Sequence, residues 1–215
     1  HQIDLADATR YILPRISFDV SAAAGGQLYV GFGESYRPDS AAYPAYNQSE
    51  LYKFRATYLR IGDMEFGIVS KNSIRNTVAV VVAEKQAIQD ALGIPKEHVF
   101  INWCHKHYTD NGELGSEQSV AALRQAKESA VPVKVAMLHL QTGAGWNYRR
   151  QGASGGYTDG PIDDNLFCFL FKDLSDNPVG SWVRYTGHSV EAQELSVDMK
   201  SRWGGTCALF NGNGC

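Results

Sequence analysis

Six histidines hold most of the metal-binding capacity of this sequence, and two of them stand close together in Asn102-Trp-Cys-His-Lys-His107. Residues two apart on a strand project to the same side, so His105 and His107 leave the end of an apolar run together. That placement suits one metal ligand and one imidazole that faces a substrate or supports the first. The alternative is a pair of surface histidines beside a loop. A second apolar run, Val183-Arg-Tyr-Thr-Gly-His188, also ends in a histidine, and Ser189, Glu191, Glu194 and Asp198 follow it. Taken singly, His188 is an ordinary surface histidine. Two strand-end histidines on separate strands change that reading, because adjacent strands present their ends to one crevice. A third segment, Gly145-Trp-Asn-Tyr-Arg-Arg150, puts arginine in a glycine-flanked loop. Arginine there can hold an anionic or carbonyl oxygen; a solvated basic loop is the other possibility. His139 falls in mid-strand and reads as a packed core histidine, and His98 reads as exposed.

Several chemistries are excluded. Gly31-Phe-Gly33 has no third glycine at the right distance and no helix directly after it, so it is not a dinucleotide fingerprint. There is no Gly-x-Ser-x-Gly nucleophile elbow. The net charge of −3, with no long run of one sign, argues against a nucleic-acid partner. The longest apolar run, Val78 to Ala83, is far short of the roughly 20 residues of a transmembrane segment. Cys104, Cys168, Cys207 and Cys215 match neither a zinc knuckle nor a redox pair. The first three sit in apolar, strand-like runs and read as buried thiols. The chain opens on His1-Gln2-Ile3-Asp4 without Met, as a processed product would, and carries an Asn47-Gln48-Ser49 sequon. A secreted or periplasmic setting fits both features.

The elements that must position these residues follow from periodicity and turn signals. Leu28 to Phe32 reads as a short strand, and Lys53 to Ile61 and Glu65 to Ser70 as a hairpin closed by Gly62-Asp63-Met64. Asn76 to Leu92 is the clearest helix, ended by Gly93 and Pro95. His98 to Cys104 is a buried strand, and Ser116 to Ser129 a second helix with Ser116 as its N-cap. Strands follow at Val133 to Gln141, Leu166 to Lys172, Val179 to Thr186 and Thr206 to Phe210. This order predicts an α/β fold, a mixed β-sheet with flanking helices (an α/β sandwich), and the Gly-rich turn after its last strand is where a chain normally continues into a larger domain.

The ordered set of motifs resembles the neutral, non-lysosomal ceramidase family. That family has a strand ending in His-Thr-His, an Asn-Arg loop, an Asp-Gly-Ile-Asp segment before a hairpin, another strand-end histidine, an acidic Ser-x-Asp segment and a Gly-rich turn. Here these read His105-Lys-His107, Asn147-Tyr-Arg-Arg150, Asp159-Gly-Pro-Ile-Asp163, Thr186-Gly-His188, Ser196-Val-Asp198 and Asn211-Gly-Asn-Gly-Cys215. Phe54-Arg-Ala-Thr57 is similar to the family's early Arg-Ala-Phe strand. The resemblance spans Leu28 to Cys215.

The resemblance implies an amide hydrolase with one zinc ion, and His105 and His188 as two of its ligands. It implies that His107 faces the substrate or its tetrahedral intermediate, and that Arg149 or Arg150 holds a substrate oxygen. It puts Tyr108, Asn147 and Asp198 along the substrate. The family's remaining ligands, a glutamate and a tyrosine, come from later sequence, so a second polypeptide or further chain is expected to complete the fold and the metal site. Lys106 replaces the family's central threonine, and Tyr108-Thr-Asp-Asn-Gly112 replaces its Gly-rich loop. The expected substrate is therefore a small amide or lipid-like molecule other than ceramide. Two other readings stand beside this one: a metal-free binding or partner subunit of the same fold, and a zinc hydrolase of a non-lipid ester or sugar-derived substrate.

Overall fold

The computed structural model describes residues 16–18, 27–36, 53–71, 77–103, 116–141, 164–185 and 189–211. Among them the elements run β1 (Ile16–Phe18), β2 (Leu28–Tyr36), β3 (Lys53–Ile61), β4 (Met64–Lys71), α1 (Val78–Leu92), β5 (Val99–Trp103), α2 (Ser116–Glu128), β6 (Val131–Gln141), β7 (Asn165–Asp173), β8 (Pro178–Tyr185), α3 (Ser189–Trp203) and β9 (Thr206–Asn211). The strands pair in the order β5-β4-β3-β2-β6-β7-β8-β9, with β1 added on β6. The sheet is mixed: β4–β5 and β8–β9 are parallel and the other pairs antiparallel. This is the α/β architecture expected from the sequence.

The path folds back on itself at β2 and β6, which share only two pairs, Tyr29↔Pro132 and Val30↔Val131. Beyond that joint the two halves, β5-β4-β3-β2 and β6-β7-β8-β9, stack face to face. Phe32 and Thr57 are cross-strand partners. A Cβ at Gly180 would lie 2.5 Å from the Phe32 ring, and Trp182 Nε1 donates to Thr57 Oγ1 at 2.9 Å. In the next row, Glu34, Arg55 and Ser70 lie side by side. Thr206 Oγ1 bonds Glu34 at 3.2 Å, while Ser70 Oγ donates to the carbonyl of Leu209. A few residues along β8 or β9 therefore cross from one strand of the first half to the next. The two halves pack with their strands crossing, the orthogonal class of sheet packing.

The core between the halves is apolar and aromatic: Leu28, Val30, Phe32, Val133 and Phe171, with Leu59, Val135, Phe169 and Trp182 against them. The Trp182 ring meets Phe171 edge-on at 4.9 Å. Helices cover the outer faces. Ala122, Leu123 and Ala126 of α2 and Ile88 of α1 pack on Ala56, Tyr58, Val69 and Val99. Met199 of α3 packs on Leu166, Cys168, Val183, Cys207 and Leu209. Gly31 and Gly33 explain how α2 sits so near β2: added Cβ atoms would lie 1.8 Å from Ala126 O and 2.0 Å from Ala122 O. The two glycines serve helix–strand approach, not a nucleotide.

Local signals account for the helix boundaries. Thr77 caps α1, its side chain accepting from Val80 N at 3.3 Å. Gly93 ends it in a left-handed conformation (φ 74°), its N–H returning to Gln89 O at 2.9 Å. The β7–β8 turn is held by Asp173, whose Oδ1 accepts from Ser175 N and Asn177 N at 2.8 Å each.

Five readings change. The strand from Leu28 runs on to Tyr36, and neither β1 nor α3 is evident from the sequence pattern. His139 is not a packed core residue; its ring is exposed, because it lies near the end of β6 where the covering half stops. His98 is not fully exposed: it stacks on Phe66 at 4.8 Å, and its Nδ1 lies 3.0 Å from Glu65 O. Cys168 and Cys207 are buried as expected, while Cys104 and Cys215 lie outside the described residues.

Candidate active site

Because the two halves cross, the ends of several strands emerge at one corner. β5 leads into Cys104 and His105, and it lies at the edge of its half beside β4. β8 and β9 run parallel, and their register pairs Val183 with Leu209 and Tyr185 with Asn211. Asn102, the penultimate residue of β5, donates through Nδ2 to Leu209 O at 3.2 Å. Ser70, its register partner on β4, donates to the same carbonyl. A single carbonyl on one half thus receives two side chains from the other. From these last described residues the sequence runs two residues from Trp103 to His105 and three from Tyr185 to His188.

His105, His107, Tyr108, Asn147, Arg149, Arg150 and His188 lie outside the described residues. Asp198 is described: it sits on α3, half exposed, with a carboxylate oxygen 3.2 Å from Arg202 Nε one helical turn on. Its neighbour Ser196 is buried. Among the described residues no group of three His, Cys, Asp or Glu side chains is placed to hold a metal ion. No helix among them is long and apolar enough to cross a membrane.

Sequence reasoning missed a row of side chains at the rim of this corner. His139, Phe167 and Arg184 are register partners across β6, β7 and β8. The His139 ring stacks flat on Phe167 (4.4 Å, 6°), and the Arg184 guanidinium lies 5.7 Å from the centre of Phe167. His139 Nε2 is 2.6 Å from Asn165 Oδ1. Strand alternation puts each of these residues on one face, but their alignment depends on register, which sequence alone does not set.

The corner is backed by a buried ionic contact. Lys71, the last residue of β4 and the register partner of Trp103, places Nζ 2.5 Å from Glu84 Oε2 of α1. Ser119 Oγ of α2 donates to the other carboxylate oxygen at 2.5 Å. The Lys71 and Glu84 side chains are 2% and 1% exposed, so the pair ties both helices to the strand next to β5 away from the surface.

No family model matches this chain, and no curated relative matches it. Solved structures do. The crystal structure of neutral ceramidase from Pseudomonas aeruginosa superposes with a TM-score of 0.63 at 13% identity, over 87% of this chain and 39% of that one. A ceramidase complexed with C2 gives a TM-score of 0.64 at 14% identity, over 86% of this chain and 38% of that one. This chain thus spans under two-fifths of the length of these neighbours. At such identity the likeness lies in the fold. The chain has a neutral ceramidase-like fold.

Proposed function

We propose that this chain supplies one part of a zinc-dependent, ceramidase-like hydrolase that cleaves an amide bond. The observation that carries the reading is the corner: in a fold shared with ceramidases, the strands leading to His105 and His188 end where Asn102 and Ser70 meet Leu209 O. Covalent reach supports it, because two or three residues span at most about 7–11 Å. Both imidazoles are neutral-nitrogen donors of the kind zinc prefers, and further ligands would come from other sequence. When bound, zinc supplies a polarised carbonyl and a water that ionises near neutral pH. His107 and Arg149 or Arg150 would hold the oxygen on which negative charge develops. His107 is also the local candidate to protonate the leaving amine. Tyr108, Asn147 and Asp198 would bind substrate. A second polypeptide or further chain completes the fold. The exposed Phe100 on edge strand β5, 56% accessible, favours such a covering partner.

The substrate we assign is an amide other than ceramide, because Lys106 stands for the family's central threonine and Tyr108 to Gly112 stands for its Gly-rich loop. Metal analysis of the natural full-length protein tests the ligands: zinc should fall well below one equivalent in His105→Ala and in His188→Ala. Unchanged zinc in both variants would remove the assignment. A panel of ceramide and short polar amides tests the substrate, and faster turnover of ceramide would contradict it.

A further inference from the structure

We infer that the end of the inner face carried by β6 to β9 is a binding shelf for a small ligand that joins a carboxylate to a flat apolar group, with Arg184 taking the carboxylate and the ring edges beside it taking the apolar part. Register builds the shelf: His139, Phe167, Arg184 and Phe210 are partners across the four strands. Alternation puts them on the same face as Phe169, Phe171 and Trp182, the aromatic residues of the core. Inside the sandwich that face is covered. At this row it comes out into solvent: His139 is exposed, and Phe167, Arg184 and Phe210 are half-buried. A sheet face that meets water is ordinarily polar, yet this row keeps two phenyl rings. Side chains stand roughly perpendicular to a sheet. The His139 ring lies flat against Phe167 (4.4 Å, 6°), and the Arg184 guanidinium lies 5.7 Å from the centre of Phe167. These flat groups therefore stand side by side on edge, and they present their rims outward. The rim of an aromatic ring is the positive part of its quadrupole, and the rim of a guanidinium is all N–H donors. Asn165 Oδ1, 2.6 Å from His139 Nε2, holds the imidazole plane, and Trp182 meets Phe210 edge-on at 5.8 Å from within. Neither this row nor the next, Gln141 with Asn165, holds a carboxylate at any of its register positions. The shelf is thus positive and already ordered, which suits an anion with a π face and lowers the cost of binding it. Two strand spacings, about 10 Å, separate β6 from β8, which is room for one small ligand.

The shelf needs no metal and no turnover, so calorimetric binding to the natural full-length protein reads it directly. The probe is phenylpropanoate, which has a ring and a carboxylate and no bond to hydrolyse. Phenylpropanol, the same body without the charge, should bind about tenfold more weakly, the scale of a charge-assisted hydrogen-bonded contact. Arg184→Gln should weaken phenylpropanoate by about the same factor and leave phenylpropanol unchanged. Phe167→Leu should weaken both probes by about threefold to tenfold, through the lost ring edge. A merely structural role for the row would lower the melting temperature and spare the difference between the two probes. Arg60→Gln is the control: it removes a like contact at the hairpin end of the first half, where the guanidinium lies 4.0 Å from the centre of Tyr29, and should keep wild-type affinity. If Arg184→Gln fails to fold, the comparison of acid with alcohol on the wild type and the Phe167→Leu variant still decide. Equal binding of the two probes would overturn the assignment, as would wild-type affinity for phenylpropanoate in Arg184→Gln or in Phe167→Leu, the first of these being the result if the carboxylate sits on a metal instead. An equal loss in Arg60→Gln, or no measurable binding to the wild type at millimolar ligand, would overturn it as well.

Discussion

The Lys71–Glu84–Ser119 contact offers the sharpest test of how the helices are held to the sheet. Glu84→Leu leaves the Lys71 ammonium, 2% exposed, without the carboxylate 2.5 Å away. Breaking a buried pair by removing one partner costs about 3–5 kcal/mol. For a domain of this size each kcal/mol moves the melting temperature by about 2–4 °C. The expected loss is thus about 6–20 °C, out of a total stability on the order of 5–15 kcal/mol. Replacing both charges, Lys71→Met with Glu84→Leu, removes the buried ammonium as well and should recover most of that loss, because apolar packing substitutes well for a buried ion pair. Ser119 would still lack the acceptor it bonds at 2.5 Å, a residual cost of about 1–3 kcal/mol that Ser119→Ala should relieve. Urea denaturation with a constant m-value reads all three variants on one scale. The reasoning fails if Glu84→Leu lies within about 1 kcal/mol of wild type, or if the double variant is no more stable than the single one.

Two further outcomes test the packing. Gly33→Ala should cost about 3 kcal/mol or more in urea unfolding, the top of the range for overpacking, because its Cβ would meet backbone (Ala122 O at 2.0 Å) that must move as a helix; Gly62→Ala, with φ 57° and nothing within 4 Å, should cost only about 1–2 kcal/mol, from its left-handed backbone, and equal losses would contradict the helix-approach reading. Burial first, and the neighbouring Cys207 second, push the Cys168 thiol from 9.0 up to about 12. A raised pKa stabilises the fold fully below pH 9 and loses that contribution as pH climbs towards 12, so the Cys168 peptide should resist alkylation at pH 8 until denaturant is added; rapid labelling of the native protein would refute its burial.

What could be read from the sequence follows the strength of local signals. α1 was legible because its apolar residues recur at a near-helical period and Gly93 and Pro95 mark its end, and the β3–β4 hairpin because Gly62 and Asp63 close it. α3 was hidden: its apolar residues, Val190, Ala192, Leu195, Val197, Met199 and Trp203, keep no clean helical period, and Glu191, Glu194 and Asp198 drew the reading to chemistry instead. Gly31 and Gly33 could be denied a nucleotide role, but their purpose lies in Ala122 and Ala126, some ninety residues further on. The strand-end histidines were legible as chemistry. The corner that gathers their strands was not, because it depends on β6 leaving β2 after two residue pairs and turning across the first half. The row of His139, Phe167 and Arg184 was missed for the same reason: it exists only once β6, β7 and β8 are in register.

The crossing also separates what can change from what cannot. In a sandwich with aligned strands, the ends of both sheets lie along two parallel rims, and sites form in the loops between them. Here β8 and β9 run out past the edge of the first half, and β5 ends beside them. Residues carried just beyond β5 and just beyond β8 therefore start from a rigid base: a shared carbonyl, the aromatic contacts of Trp182 with Phe171 and Phe210, and the buried Lys71–Glu84 pair behind. The segment from Lys106 to Gly112 follows β5 in the sequence. On the proposed reading, its departure from the ceramidase pattern would alter which amide is accepted and leave untouched the strands that lead in sequence to His105 and His188. That is the arrangement expected where chemistry is fixed by the scaffold and specificity by a loop, and it is why the substrate, more than the fold or the proposed ligands, is where this chain should differ from ceramidases.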